Sequence, residues 1–98
     1  MPYSTILTQL DNGIFTITIN RPDKLNALNK EVFNDLDAVM DEIIANHSIQ
    51  SVIITGSGSK AFVAGADITE FANLSFDEAK ILAKRGQDVF FKIENSSK

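Results

Sequence analysis

The sequence of 98 residues contains no cysteine, no tryptophan and a single histidine, His47. Without cysteine the chain can form no disulfide framework and offers no thiolate nucleophile. A lone histidine without thiolates also leaves no set of nitrogen and sulfur ligands for a zinc-type site. The lack of disulfides fits a reducing compartment. We therefore predict a cytoplasmic location and no bound metal.

Positive charge is scarce as well, since the formal net charge is −4. The basic residues of the last predicted helix form a short run rather than a stripe, which argues against a nucleic-acid partner. The first four residues lack a basic region followed by an apolar core, so we expect no signal peptide. No apolar run approaches membrane-spanning length, and we predict no membrane partner.

The first part of the chain has the pattern of an antiparallel hairpin. Residues 5–10 are apolar enough for a short strand, and residues 14–19 are rich in β-branched side chains with clear alternation. Asp11-Asn12-Gly13 lies between them and tolerates the positive φ of a tight hairpin turn. Arg21-Pro22 then ends the second strand, because proline has no N–H to donate to a sheet.

A helix and a third strand follow. Asn29 is the predicted N-cap, and the helix should end near Asn46-His47. Residues 52–55 are strand formers bounded by Gly56-Ser57-Gly58. Strand, helix and strand in this order predict a right-handed crossover between two parallel strands. The apolar residues that should share one buried helix face are Val32, Phe33, Leu36, Val39, Met40, Ile43 and Ile44.

The rest of the chain predicts a loop or short strand over residues 60–65, a helical turn over residues 67–73 and a final helix. Ser75-Phe76-Asp77-Glu78 matches the capping box that begins such a helix. The helix ends where an α/β sheet normally returns to a further strand. The fold class is therefore α/β, with a hairpin, a βαβ crossover and a further helix. The predicted buried stripe of that helix is Phe76, Ala79, Leu82, Ala83, Val89, Phe90 and Ile93.

Two loops follow the carboxyl ends of the parallel strands, where open α/β sheets bind ligands. They comprise residues 20–28 and residues 56–68. Gly65 would let the backbone approach a ligand closely, and Asp67 is a predicted helix cap. A free N–H at Ala66 would suit an oxyanion. Taken alone, Ala64-Gly65-Ala66 favours a tight turn with a capped helix over an oxyanion site.

Two longer strings resemble one family when they are taken together. They are Phe62-Val63-Ala64-Gly65-Ala66-Asp67-Ile68 and Arg21-Pro22-Asp23-Lys24-Leu25-Asn26-Ala27-Leu28. Both resemble the crotonase, or enoyl-CoA hydratase/isomerase, superfamily, and above all a bacterial enoyl-CoA hydratase. The resemblance implies that residues 1–98 are the amino-terminal portion of a single crotonase (ClpP-like) domain whose carboxyl-terminal portion is absent. It also implies hydration of trans-2-enoyl-CoA to 3-hydroxyacyl-CoA.

The resemblance further implies a role for individual residues. The backbone N–H of Ala66 falls on the first of two amides that polarise the thioester carbonyl. Coenzyme A enters as part of the substrate, so no separate cofactor is expected. Thr69 stands where many relatives carry a basic residue, which argues against an ionic contact with CoA at that position. Lys24 stands where other relatives have a small residue, and we hypothesise that its side chain reaches a CoA phosphate. The implied substrate-binding residues are Lys24, Leu25, Ala27, Ala64, Gly65, Ala66, Asp67, Ile68, Thr69 and Phe71.

In the family, the second amide donor and the catalytic glutamates lie beyond the part that matches this chain. We therefore expect the 98 residues alone to be inactive. Another crotonase reaction is an open alternative, whether isomerisation, decarboxylation or thioester hydrolysis. A non-catalytic module that binds CoA or assists assembly is another. The family also implies a homo-oligomer, a trimer or hexamer, at full length.

Overall fold

The computed structural model describes residues 3–98, which form one mixed sheet with helices packed on it. The strands follow each other in space in the order β1-β2-β3. A short 3₁₀ turn, Pro22–Lys24, follows the second strand. The strands are β1 (Ile6–Asp11), β2 (Ile14–Ile19) and β3 (Ser51–Gly56), and the helices are α1 (Lys30–Ala45), α2 (Ile68–Phe71) and α3 (Phe76–Glu94).

The predicted hairpin is confirmed. β1 and β2 are antiparallel, and Asp11 pairs with Ile14, so the loop between them has two residues. Those residues, Asn12 and Gly13, have φ of +51° and +82°. Positive φ at both positions defines the turn type whose twist matches that of the flanking strands. The local sequence therefore specifies the register of this strand pair.

β2 and β3 pair in parallel, from Ile14 beside Ser51 to Ile19 beside Gly56, which confirms the predicted parallel pair. α1 lies between them in the chain and covers the sheet face onto which alternate β2 residues point. The two strands consequently end side by side, and the loops that follow them start from the same edge of the sheet. The buried residues between α1 and the sheet are Phe15, Ile17, Ile19, Val32, Leu36, Val39, Met40 and Ile43.

Both ends of α1 agree with the prediction. The Asn29 side chain accepts a hydrogen bond from the Val32 N–H at 3.0 Å, and the helix ends at Ala45. The prediction that Ile44 shares the buried face was wrong, since its side chain is 49% exposed. Ile44 lies about 100° around the helix from the buried Ile43, which takes it off the face that meets the sheet.

The predicted capping box of α3 is present. Ser75 Oγ accepts the Glu78 N–H at 3.1 Å, and Glu78 Oε1 accepts the Ser75 N–H at 3.0 Å. α3 packs against α1, and Gly86 allows the close approach, because a Cβ built there would lie 2.9 Å from Phe33 Cζ. No helix within residues 3–98 has the combined length and apolarity to cross a membrane.

The predicted buried stripe of α3 was too wide. Phe76 is 82% exposed and Phe90 is 48% exposed, and Ala83 is exposed as well. Because α3 packs mainly against α1, the residues that meet this partner are spaced three or four apart. The apolar residues and glycine of the stripe that are buried or half-buried are Ala79, Leu82, Gly86, Val89 and Ile93.

Candidate functional site

The two loops predicted to flank a site lie side by side at the carboxyl ends of β2 and β3. Three main-chain hydrogen bonds join them: Ala64 N–H donates to Leu25 O at 3.1 Å, Leu28 N–H to Gly65 O at 2.8 Å and Asp67 N–H to Leu28 O at 2.8 Å. The last two form an isolated parallel bridge between Leu28 and Ala66. The loops therefore open at the same end of the sheet.

The bridge sets the direction of the Ala66 amide. In a parallel pairing one residue bonds to the two neighbours of its partner, and the partner's own N–H and C=O point to the other side. Leu28 makes both bonds here, so the Ala66 N–H points away from it. Within residues 3–98 this N–H has no hydrogen-bond acceptor, and Ala66 is exposed. The main chain thus presents one free donor at the edge of the site.

Gly65 contributes through its backbone conformation. Its φ is +105°, a value that residues with a Cβ rarely adopt, whereas a Cβ built on Gly65 would meet nothing within 4 Å. The glycine is therefore required by the turn that directs Ala66 rather than by crowding. On the opposite loop, Leu25 and Asn26 have φ of +54° and +57°. Both loops therefore contain residues with positive φ.

Asp67 links the site to α2 and to the first loop. One of its carboxylate oxygens accepts the Thr69 N–H at 3.1 Å and also the Thr69 hydroxyl, which makes Asp67 the N-cap of α2 as predicted. The other oxygen is paired with Arg21 Nη2 at 3.1 Å. Hydrogen bonding by Thr69 and then by Arg21 lowers the pKa of Asp67 below its ordinary value, so it is charged at neutral pH.

Asn26 is a structural residue of the site that sequence reasoning missed. Its side chain is 1% exposed and its Nδ2 donates to Ser57 O and Ala61 O, each at 2.9 Å. Its Oδ1 accepts the Arg21 N–H at 2.9 Å. Asn26 thereby joins the first loop to the start of the second. The available clue was a short amide side chain, tolerant of positive φ, inside an otherwise apolar Leu-Asn-Ala-Leu string.

The structure distributes the other predicted site residues around this edge. Lys24 ends the 3₁₀ turn with an exposed side chain. Ile68 and Thr69, in the first turn of α2, are also exposed. Phe71 is half-buried and packs against the core. The half-buried or exposed remainder, close to the main-chain bonds between the loops, consists of Leu25, Ala27 and Ala64.

Three clefts lie near these loops. One of about 230 Å³ separates them and is lined by Pro22, Leu25, Asn26 and residues 57–61. A second, of about 290 Å³, lies on the second loop and includes Gly56 and Phe62. A third, of about 470 Å³, lies between α1, α2 and α3 and includes Glu70 and Leu74. Ala66 is exposed and lines none of the three. Residues 3–98 contain no group of three or more His, Cys, Asp or Glu side chains placed to hold a metal ion.

Residues 9–98 match the family described as enoyl-CoA hydratase/isomerase. The chain is 39% identical to a crotonyl-CoA hydratase of Syntrophomonas wolfei over 98 residues, which covers 100% of this chain and 38% of that protein. It is 36% identical to a short-chain-enoyl-CoA hydratase of Clostridium acetobutylicum over 94 residues, covering 96% and 36%. It is 48% identical to a probable enoyl-CoA hydratase of Mycobacterium tuberculosis over 79 residues, covering 81% and 30%.

Solved structures give the same result. An enoyl-CoA hydratase/carnithine racemase of Magnetospirillum magneticum superposes with a TM-score of 0.89 at 34% identity, covering 97% of this chain and 36% of that one. An enoyl-CoA hydratase of Bacillus anthracis has a TM-score of 0.92 at 24% identity and covers 95% and 36%. The chain therefore has part of a crotonase fold, as predicted. It belongs to the enoyl-CoA hydratase/isomerase family and spans about a third of the length of the curated relatives it matches.

Proposed function

We propose that this chain is the part of an enoyl-CoA hydratase that holds the carbonyl group of an acyl-CoA thioester. The observation that carries the proposal is the Ala66 N–H, which points away from Leu28 and has no acceptor within residues 3–98. Such an amide can donate to a thioester oxygen without first breaking a hydrogen bond within residues 3–98. The whole enzyme would convert trans-2-enoyl-CoA into 3-hydroxyacyl-CoA.

Hydration requires a negative charge on the thioester oxygen to be stabilised. The oxygen of water bonds to carbon 3 of the enoyl group as one of its protons passes to a general base, and the electrons of the double bond move through carbon 2 to the carbonyl oxygen. The resulting enolate then takes a proton at carbon 2. An N–H aimed at that oxygen stabilises the enolate more than the neutral carbonyl, and so lowers the barrier. Loss of one such donor costs about 10²–10³ in rate.

We propose further roles for the residues around Ala66. Lys24, Leu25 and Ala27 would lie near the adenine and phosphates of CoA, and the exposed ammonium of Lys24 would reach a phosphate. Phe71 would line the pocket for the acyl group. The segment proposed to follow the thioester and pantetheine consists of Ala64, Gly65, Ala66, Asp67, Ile68 and Thr69.

The proposal assigns the remaining machinery to the two thirds of the fold that this chain does not span. A second amide donor and the acidic residues for proton transfer would come from there, so the 98 residues would be inactive alone and would form the amino-terminal portion of one domain. The same residues would decide between hydration and isomerisation, decarboxylation or thioester hydrolysis. We further propose a cytoplasmic enzyme that is a homo-oligomer, a trimer or hexamer, at full length.

Two substitutions of Ala66 test the donor. Ala66→Pro removes the N–H, and Ala66→Gly keeps it and is the matched control. Isothermal titration of the chain with acetoacetyl-CoA, whose enolate carries the negative oxygen in question, should show similar affinity for Ala66→Gly and the original chain. Ala66→Pro should bind about tenfold more weakly or worse, the scale of a lost hydrogen bond to a charged group.

Circular dichroism establishes that both variants are folded before their affinities are compared. Equal affinity of the two variants, or no binding by the original chain, would contradict the proposal. In a separate assay with crotonyl-CoA, the chain alone should give no turnover above background. Measurable turnover would show that the proton-transfer groups lie within these 98 residues.

A further inference from the structure

The side chain of Arg21 contacts both sides of the bridge that directs the Ala66 amide. Its Nη1 donates to Ala27 O, and its Nη2 donates to Asp67 Oδ2 at 3.1 Å. Ala27 directly precedes Leu28, and Asp67 directly follows Ala66. One guanidinium group therefore ties together the two strands of the bridge at a point next to the free N–H.

The main chain of Arg21 is also held by hydrogen bonds. The Arg21 N–H donates to Asn26 Oδ1 at 2.9 Å, and Arg21 O accepts from Lys24 N–H at 2.9 Å and from Asn26 N–H at 2.8 Å. The side chains of Arg21 and Asp67 are 16% and 12% exposed, so solvent screens this pair less than an ordinary surface ion pair. A planar guanidinium can also direct two N–H groups at fixed angles, which a lysine ammonium cannot reproduce.

Packing does little to hold the segment that carries the amide. A Cβ built on Gly65 would meet nothing within 4 Å, and Ala64 and Ala66 are both exposed. The direction of the Ala66 N–H must then depend on hydrogen bonds made by its neighbours. Those neighbours are the ends of the bridge, which Arg21 joins.

We infer that Arg21 is a positioning residue, which fixes the direction of the Ala66 N–H by joining Ala27 to Asp67 across the bridge. This inference rests on the proposed function, since it names the residue that prepares the proposed oxyanion donor. Arg21 acts through the main chain and is assigned no contact with the thioester. Its guanidinium is expected to stay in place when an acyl-CoA binds.

Nuclear magnetic resonance of the ¹⁵N-labelled chain tests the inference through the Ala66 amide signal. Arg21→Lys keeps the charge but loses the two fixed N–H directions of the guanidinium, and should shift that signal. The same variant should bind acetoacetyl-CoA about tenfold more weakly. Arg85→Lys is the matched control, because Arg85 forms an ion pair with Asp37 at 3.1 Å between α1 and α3. It should leave both the Ala66 signal and the affinity unchanged.

A second variant guards against the loss of folding in Arg21→Lys. Asp67→Asn keeps the oxygen that accepts from Thr69 but turns an NH₂ group toward Arg21 in place of the second oxygen, and should shift the Ala66 signal in the same direction. An unmoved Ala66 signal in both variants would overturn the inference. Weaker binding with an unmoved signal would also overturn it, because Arg21 would then contact the ligand directly.

The same spectra separate this inference from the proposed function. If acetoacetyl-CoA leaves the Ala66 signal of the original chain unchanged, the proposed function fails. The positioning role still stands in that case, provided that Arg21→Lys moves the signal in the absence of ligand. If ligand moves the signal but Arg21→Lys does not, the function stands and the positioning role fails.

Discussion

Asn26→Asp exchanges one nearly isosteric side chain for another in the most buried polar position of the site. In the native chain Nδ2 donates to two carbonyl oxygens, Ser57 O and Ala61 O, each at 2.9 Å. An aspartate would place a carboxylate oxygen against those two acceptors, with the residue only 1% exposed. Aspartate tolerates positive φ as asparagine does, so the backbone at φ +57° adds little to the cost.

The magnitude follows from the lost partners. Each buried carbonyl left without a donor costs about 1–3 kcal/mol, and an unpaired buried charge adds to that cost. We therefore expect Asn26→Asp to lose roughly 3–5 kcal/mol of unfolding free energy at pH 7. A chain of this size has only about 5–15 kcal/mol in total, so the variant should be close to unfolding.

The loss should depend on pH with a definite sign. Burial and the facing carbonyls raise the pKa of the introduced carboxyl in the folded state above its unfolded value. The penalty is then fully present above the folded pKa and disappears as pH falls below the unfolded pKa, because a protonated carboxyl can donate to one of the carbonyls. The difference between variant and original chain should therefore shrink between pH 7 and pH 4.

Urea unfolding followed by circular dichroism at both pH values measures this difference. Asn34→Asp is the matched control: Asn34 is exposed, and its Oδ1 already accepts from Arg85 Nη2 at 3.2 Å. That variant should change stability by less than about 0.5 kcal/mol. An Asn26→Asp variant as stable as the control, or an equal loss at both pH values, would refute the assigned contacts of Asn26.

Two further predictions concern the contact between α1 and α3. Gly86→Ala would place a Cβ 2.9 Å from Phe33 Cζ, and should lower the thermal unfolding midpoint by an amount equivalent to about 1–3 kcal/mol. Adding Phe33→Leu to that variant should recover part of the lost stability. No recovery would contradict the assigned contact. A hydrogen bond from Lys92, with a further contribution from Arg85, lowers the pKa of Asp37 in the folded chain. These contacts of Asp37 should therefore stabilise the fold above the unfolded pKa of Asp37, and the stabilisation should be lost as pH falls through the folded pKa. Urea midpoints measured against pH should show this step in the original chain and a smaller one in Asp37→Asn.

Much of the fold could be predicted because its signals are local. Asn12-Gly13 specifies a two-residue turn, Asn29 accepts the Val32 N–H, and Ser75 with Glu78 forms a capping box. In each case the residues that make the contact lie within a few positions of one another. Such contacts depend little on the rest of the structure, so their sequence patterns are informative.

The width of the α3 stripe was mispredicted for the opposite reason. Periodicity places Phe76, Ala83 and Phe90 near the apolar side of the helix, but burial depends on what lies opposite. α3 packs mainly against α1, through a contact that includes Gly86 and Phe33. A glycine at the centre of a helix contact has no hydrophobic weight in a sequence pattern, so the residue on which the packing depends was invisible to it.

The candidate site shows the same division. The two loops could be anticipated from strand order and Ala66 from the family strings, whereas the bridge to Leu28 and the side-chain contacts could not. Asn26 acts on Ser57 and Ala61, more than 30 positions away in the chain, and Arg21 acts on Asp67 at a separation of 46. Contacts of that length follow from the tertiary structure and leave no periodic pattern in the sequence.

Leu28 couples the core to the site. Its side chain is buried with the residues of α1 and β2, while its main chain makes both hydrogen bonds of the bridge with Ala66. The position of the Ala66 amide therefore depends on the packed core, and a core substitution that moves Leu28 must also move Ala66. For this reason a loss of binding identifies a site residue only when the Ala66 signal or a matched control shows that the core has not shifted.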